Sequence, residues 1–186
     1  MRHIPTRRGF TLIEVAIVLV IASIIILAAM VFTRATDNAW RTASDSAAIT
    51  FNTRRALETV ASELRRTDLS HVTINTSNPL YDFVEFQLPL SVSQSTVTWG
   101  ANGTADWKVR YLVENGALIR RVVSAGGTIV QMDQVLADGV DTSLAQGKAF
   151  SATRVATLVT LAVRVAAVTN GRTWSRQLTT AVSLRN

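Results

Sequence analysis

The chain has 186 residues, enough for one modest domain with an appendage, and it contains no cysteine. The lack of cysteine excludes disulfide bonds, thiolate metal sites and cysteine nucleophiles. The net charge of +6 includes three arginines among the first eight residues, and it falls to +3 without residues 1–9. Because this charge is small and mixed, we expect no nucleic acid among the partners.

Residues 10–32 form a long apolar segment whose only polar members are Thr11, Glu14 and Ser23. As a helix, these 23 residues reach about 34 Å, enough to cross a hydrocarbon layer of roughly 30 Å. Basic residues precede the segment at Arg2, Arg7 and Arg8. By the positive-inside rule, the N-terminus should stay in the cytoplasm and everything after Phe32 should face outward.

Two simpler roles are also open to this apolar segment. An ordinary secretory signal peptide has an apolar region of about 7–15 residues before a small-residue cleavage site, for which Ala28 and Ala29 are candidates. A plain single-pass anchor has the required length but no special charge. Glu14 argues against both, because a charge near the bilayer centre costs roughly 2.5–3.5 kcal/mol and marks a functional site by default.

The residues around Glu14 carry a specific resemblance, in the stretch Arg7-Arg8-Gly9-Phe10-Thr11-Leu12-Ile13-Glu14-Val15. This stretch resembles the processing site of type IV prepilins and type II secretion pseudopilins, which a membrane peptidase cuts after the glycine. The resemblance implies that residues 1–9 are a leader peptide, that prepilin peptidase cleaves between Gly9 and Phe10, and that Phe10 is then N-methylated. It further implies that Glu14 pairs with the N-terminal amine of a neighbouring subunit during assembly.

The chemistry of the two key residues is compatible with these roles. A glycine before the scissile bond lets a protease approach the backbone closely. A carboxylate about 4 Å from an amine gains about 4 kcal/mol at an effective dielectric near 20. The alternatives are that Gly9 is an arbitrary residue before a membrane helix and that Glu14 reaches the membrane edge to stay hydrated.

No Gly or Pro occurs between Phe10 and Asn78. Because Gly costs about 1 kcal/mol and Pro about 3 inside a helix, this gap favours one continuous helix. The part beyond the apolar segment keeps a helical apolar face at Leu57, Val60, Ala61 and Leu64. We therefore predict a transmembrane part over 10–33 and an amphipathic periplasmic part over 34–68.

Residues 69–186 have the composition of a β-rich head domain. Apolar and polar residues alternate at 84–88, a Ser/Thr-rich stretch at 92–99 is strand-like, and a short strand is predicted at 129–132. A polar loop is expected at 137–148. The clearest hairpin covers 107–123 around Asn115-Gly116, which tolerate positive φ. A second hairpin joins 157–168 to 173–184 around Asn170-Gly171. The predicted fold class is therefore α+β and pilin-like: a long N-terminal helix with an antiparallel β-sheet head packed on its amphipathic face.

Short segments of the head extend the resemblance. Residues 111–121, 135–140, 161–165 and 183–186 are similar, in this order, to the hairpin and later strands of J-type minor pseudopilins and PilW-type minor pilins. The segment 141–147 departs from that pattern, because it is polar and small where an aromatic-rich strand is typical. The leader motif is specific to the superfamily, whereas the similarities in the head are individually weak.

Catalysis finds little support in the sequence. The histidines are His3, which lies in the expected leader, and His71, which has no metal-ligand spacing around it. None of the familiar phosphate-loop, metalloprotease or serine-hydrolase motifs occurs. We therefore expect a protein that is not an enzyme and has no cofactor.

Two weaker binding hypotheses concern the head. Asp133, Asp138 and Asp141 are candidates for a Ca²⁺ site, although their spacing matches no EF-hand and solvated loop acids are the default expectation. The tryptophans are candidates for a partner interface, although at least two should lie in the core; they are Trp40, Trp99, Trp107 and Trp174.

The sequence leads to one principal hypothesis. The resemblance implies a J-type minor pseudopilin of a type II secretion system, a bacterial inner-membrane protein whose head lies in the periplasm. Its implied partners are prepilin peptidase, other minor and major pseudopilins and the inner-membrane assembly platform. The alternatives are a PilW-type minor pilin that primes type IV pili and a membrane-anchored periplasmic binding module that never polymerises.

Overall fold

The computed structural model describes residues 11–93, 96–143, 147–169 and 172–185. Its fold is α+β, with one long N-terminal helix followed by antiparallel sheets, so the predicted fold class is confirmed. The chain divides into two compact units, Met1–Ala43 and Ser44–Asn186.

Helix α1 covers Leu12–Leu64 without interruption, as the absence of Gly and Pro predicts. It ends about four residues before the predicted boundary at 68. The last turn tightens, because the amides of Arg66 and Thr67 donate to the carbonyls of residues three positions earlier. Asp68 then caps a short 3-10 helix, Leu69–His71, by accepting from the amides of Ser70 and His71. Asp favours such caps over helix interiors, which explains the early end of α1.

Eleven strands follow among the described residues: β1 Val72–Asn75, β2 Phe83–Phe86, β3 Leu88–Ser93, β4 Thr96–Ala101, β5 Thr104–Ala105, β6 Lys108–Glu114, β7 Ala117–Val123, β8 Gln134–Ala137, β9 Phe150–Val155, β10 Leu158–Thr169 and β11 Arg172–Ser183. They form three antiparallel sheets, with the orders β1-β2-β6-β7-β8, β11-β10-β9 and β3-β4-β5. The third sheet is an excursion of the chain between β2 and β6 of the first sheet.

Both predicted hairpins are present. In the β6–β7 hairpin, Glu114 faces Ala117 across a two-residue turn, where Asn115 has φ 51° and Gly116 has φ 73°. This pair of positive φ values is the geometry that Asn-Gly favours. Strands β10 and β11 pair in unbroken register from Leu158 opposite Ser183 to Thr169 opposite Arg172. The predicted turn at 170–171 lies outside the described residues.

The predicted strand at 129–132 is wrong. Only Ile129 makes a β-bridge, opposite Val123, and the strand that pairs with β7 is β8, beginning at Gln134. Ile129 and Met132 are largely exposed, so the apolar character of this segment does not reflect burial in the core. The prediction failed because a short apolar run does not by itself distinguish a paired strand from an exposed segment.

The core of the head lies between the last turns of α1 and the sheets. The helix contributes the four residues predicted from its spacing, Leu57, Val60, Ala61 and Leu64, all less than 4% exposed. From the sheets, Phe86, Tyr111 and Phe150 are fully buried in the same cluster. Packing of the helix face against the sheets therefore stabilises the head, as the amphipathic pattern predicts.

Candidate functional site

A capping box forms at the start of α1. Thr11 lies just before the first helical residue, and its amide and hydroxyl both donate to Oε2 of Glu14 at 2.9 Å. The amide of Glu14 lies 3.3 Å from the Thr11 hydroxyl oxygen, which accepts from it. These reciprocal bonds satisfy amides that a helix N-terminus leaves without intrahelical partners. The carboxylate of Glu14 is thereby directed toward the N-terminus of the helix.

Sequence reasoning missed this capping role, although the signal was present. A threonine followed three residues later by a glutamate, ahead of an apolar run, is the sequence signature of a capping box. The exposed carboxylate of Glu14 is also well placed near the positive end of the helix dipole. The local geometry thus provides a reason for an acidic residue here that is independent of any partner.

Gly9 and Phe10, the predicted cleavage and methylation residues, lie outside the described residues. Their roles stay predictions. The described residues begin at Thr11 and therefore include the acidic residue of the motif together with its local hydrogen bonds.

The first part of α1 exposes an apolar surface. Every large aliphatic residue from Leu12 to Val31 is about half exposed or more, and Phe32 is 74% exposed. Within the described chain, α1 is the one helix long and apolar enough to cross a membrane. Its polar side chains are satisfied within the helix, since the Ser23 hydroxyl donates to the Leu19 carbonyl and the Thr33 hydroxyl to the Ala29 carbonyl.

Residues 4–30 match the prokaryotic N-terminal methylation motif. The motif indicates a type IV pilin-like or pseudopilin protein. It spans the predicted processing site, Glu14 and most of the exposed apolar part of α1, and it implies processing by prepilin peptidase and assembly with other pilins. No curated protein and no solved structure matches the chain significantly. The J-type subfamily stays a prediction.

The end of α1 is tied to the sheet by a half-buried charged cluster. Glu63 accepts from the hydroxyl of Tyr111 at 2.8 Å and from Nε of Arg120 at 3.1 Å. Burial and the adjacent Glu63 carboxylate raise the pKa of Tyr111 above its usual range, so this phenol stays protonated. The cluster therefore fixes the helix against β6 and β7.

The three aspartates proposed for Ca²⁺ do not converge. Asp133 pairs with Arg121, and Asp141 pairs with Arg164, whose guanidinium also donates to the Ser143 carbonyl at 2.6 Å. Asp138 is exposed. Among the residues that the structure describes, no group of three His, Cys, Asp or Glu side chains is arranged to hold a metal ion. Ca²⁺ binding stays a prediction without geometric support.

Asp68, Ser70 and His71 form a cluster that resembles a catalytic triad in composition only. The Ser70 hydroxyl lies 2.9 Å from Nδ1 of His71, and the same Nδ1 lies 2.6 Å from Oδ1 of Asp68. A triad needs the carboxylate on one ring nitrogen and the nucleophile on the other. The His71 ring instead stacks on Trp99, with centroids 4.2 Å apart. The cluster therefore links the 3-10 helix to β4.

The four tryptophans differ in exposure. Trp107 and Trp174 are partly buried and pack against the core cluster of the head, although neither belongs to the fully buried core. Trp99 is half-buried against His71. Trp40 is 76% exposed on the first unit and is the clearest candidate for contact with a partner.

Proposed function

We propose that this protein is a J-type minor pseudopilin of a type II secretion system. The observation that carries the proposal is the methylation motif at 4–30, continuous with an exposed apolar helix and followed by a β-rich head. In this role the chain is a structural subunit and not an enzyme. It inserts into the bacterial inner membrane with its leader in the cytoplasm and its head in the periplasm.

The first step proposed is processing. Prepilin peptidase cuts the peptide bond between Gly9 and Phe10, and the new amine of Phe10 receives a methyl group. This places the N-terminus one residue before Thr11, at the end of the helix where the Glu14 carboxylate is held. The small Gly9 lets the peptidase reach the scissile bond.

The second step proposed is assembly. Glu14 of one subunit pairs with the methylated amine of Phe10 on a neighbour as the subunit leaves the bilayer. A buried carboxylate without a partner is costly in lipid, so the pair favours one docking register over its alternatives. The partners are other minor and major pseudopilins, joined through their N-terminal helices on the inner-membrane assembly platform. The product is the initiating complex of a periplasmic pseudopilus that drives protein export.

Intact mass and N-terminal sequencing of the protein purified from its native membrane test the processing step. We expect a chain that begins at N-methyl-phenylalanine at position 10. A Gly9→Leu variant should keep residues 1–9, because its side chain obstructs the approach to the bond. A wild-type chain that begins at Met1, or directly after Ala29, would contradict the proposal and favour a plain anchor or a secreted domain.

A PilW-type minor pilin is the second candidate, because the hairpin segment 111–121 resembles both subfamilies. Deletion of the gene separates them. Loss of an exported protein from the culture medium supports secretion, whereas loss of twitching or DNA uptake supports the pilus. Normal function of a Glu14→Ala variant in both assays would favour the remaining alternative, a membrane-anchored binding module that does not polymerise.

A further inference from the structure

Two charged residues bracket an uncharged stretch of α1 whose length matches a bilayer. Between Glu14 and Arg34 lie residues 15–33, none of which is charged. These 19 helical residues span about 28 Å, close to the roughly 30 Å of a hydrocarbon layer. If Glu14 lies at the cytoplasmic edge, Arg34 lies at the periplasmic edge, so both charges avoid the costly centre of the bilayer.

Beyond Arg34, the same unit presents an exposed aromatic residue next to a second arginine. Trp40 is 76% exposed, and Arg41 follows it directly. Arg34 and Arg41 are seven residues apart and therefore lie on nearly the same face of the helix. The backbone of Trp40 lies about 9 Å farther along the axis than that of Arg34, just beyond a headgroup layer roughly 5–7 Å deep on each side.

Side-chain direction brings these groups back toward the membrane. In an α-helix every side chain tilts toward the N-terminus, which here is the side of the apolar segment. The indole of Trp40 and the guanidinium of Arg41 are therefore directed toward the headgroup layer. Tryptophan and arginine are the residues that favour this layer, since each combines an apolar body with a polar end.

The two arginines have no protein partner among the described residues. No side-chain hydrogen bond or ion pair of the described chain involves Arg34 or Arg41, even though Asp37 lies between them along the helix. In the head, by contrast, Arg120, Arg121 and Arg164 each bind a carboxylate. The free guanidinium groups on α1 are thus available to an anion supplied from outside the chain.

We propose that Arg34, Trp40 and Arg41 form a headgroup collar that binds phospholipid phosphates at the outer face of the inner membrane. The proposal rests on the membrane-spanning state in the function proposed above. The collar fixes the depth of α1 before assembly, and a subunit that leaves the bilayer must release it. Because the negative charge of Asp37 offsets the positive charge of one arginine, we expect anionic lipids to strengthen the contact between collar and headgroups only modestly.

Tryptophan quenching by brominated lipids tests the collar in the full chain reconstituted into phosphatidylcholine vesicles. Bromine near the headgroup end of the acyl chains should remove about a quarter of the emission, since one of four tryptophans contacts lipid. Trp40→Phe should abolish the quenching, and the matched control Trp107→Phe should keep it. Adding phosphatidylglycerol should increase the quenching, and the double variant Arg34→Gln with Arg41→Gln should reduce it.

Resistance to alkaline carbonate extraction, measured on the same vesicles, separates the possible failures. A chain that stays in the vesicles but shows equal quenching with and without Trp40 overturns the collar and leaves the proposed function intact. Extraction of the chain by alkaline carbonate would overturn both the collar and the proposed function. A third result would also overturn the collar: brominated lipid does not quench Trp40, and the shielding of Trp40 from an aqueous quencher increases with protein concentration. That result would favour a contact with another helix.

Discussion

The two parts of α1 differ in whether the chain itself buries their apolar residues. From Leu12 to Ala43 no residue is buried, although this part holds the most apolar stretch of the chain. Between Ser44 and Leu64, six residues are buried against the head: Thr53, Ala56, Leu57, Val60, Ala61 and Leu64. The first part needs an apolar environment from outside the chain, whereas the second finds it in its own sheets. Burial, and not hydrophobicity alone, therefore distinguishes an anchor from a core.

The charges follow the same division. The side chains of Arg34 and Arg41 have no partner within the described chain, whereas Arg164 in the head is 6% exposed and bound to Asp141. A charge can be buried only where the chain supplies its counter-charge. Changes in the first part should therefore affect interactions with other molecules, and changes in the second should affect folding of the head.

The largest effect is expected from Glu14→Gln, which removes the charge in the first part of α1. If the carboxylate pairs with a neighbour's amine, incorporation into filaments should fall by roughly tenfold or more, because an ion pair at 4 Å contributes about 4 kcal/mol at an effective dielectric near 20. Cross-linking of sheared filaments measures incorporation. Thr11→Val is the matched control, since it removes the capping hydroxyl and keeps the charge. Equal defects in both variants would show that only the helix cap matters.

A pair of leucine truncations on the same helix tests the comparison directly. Leu64→Ala should lower the free energy of unfolding of the head by about 3 kcal/mol, because it leaves a cavity at a fully buried site. Leu27→Ala, at a site that is 65% exposed, should leave the unfolding of the head unchanged. Urea denaturation followed by circular dichroism measures both. Similar losses would contradict the division of α1 into two parts.

Asp141→Asn should lower the free energy of unfolding of the head by roughly 2 kcal/mol, because Arg164 keeps its buried charge without a counter-charge. The loss of stability should be smaller than on full removal of the side chain, since asparagine can still accept a hydrogen bond from the amide of Ser143. Arg34→Gln, on the exposed part of α1, is the matched control and should leave thermal unfolding unchanged. An unchanged melting temperature for Asp141→Asn would show that the buried pair contributes nothing net.

A smaller effect is expected from pH. Burial raises the pKa of Asp141, but hydrogen bonds from Ser143 and the charge of Arg164 outweigh it and hold the pKa below its usual range. The hydrogen bond from Arg121 likewise lowers the pKa of Asp133. Because both folded-state pKa values are depressed, this stabilisation is present above about pH 4 and is lost as pH falls further. Thermal unfolding between neutral and acid pH measures the loss, which Asp141→Asn should reduce.

The smallest effect is expected at the β6–β7 turn. Gly116→Ala places a side chain at φ 73°, which should cost about 1 kcal/mol. The added Cβ meets only the Val140 carbonyl oxygen at 3.6 Å, an ordinary contact, so conformational strain is the whole penalty. Urea denaturation checks the value. A loss as large as that of Leu64→Ala would show that the turn also controls packing.

The sequence by itself determined the features that depend on local chemistry. The continuity of α1 follows from the absence of Gly and Pro, and the β6–β7 hairpin follows from Asn115-Gly116. The core face of the helix follows from the spacing of Leu57, Val60, Ala61 and Leu64. The motif around Glu14 could also be recognised from the sequence, because ionisable residues are rare within a membrane-spanning apolar segment.

Only the tertiary structure decided which groups meet across the chain. The partners of Asp133 and Asp141 are Arg121 on β7 and Arg164 on β10, so spacing along the sequence did not reveal them. The strand at 134–137 replaced the predicted one at 129–132, because pairing with β7 outweighs local β-propensity. Long-range contacts of this kind depend on sheet order, which no single segment encodes.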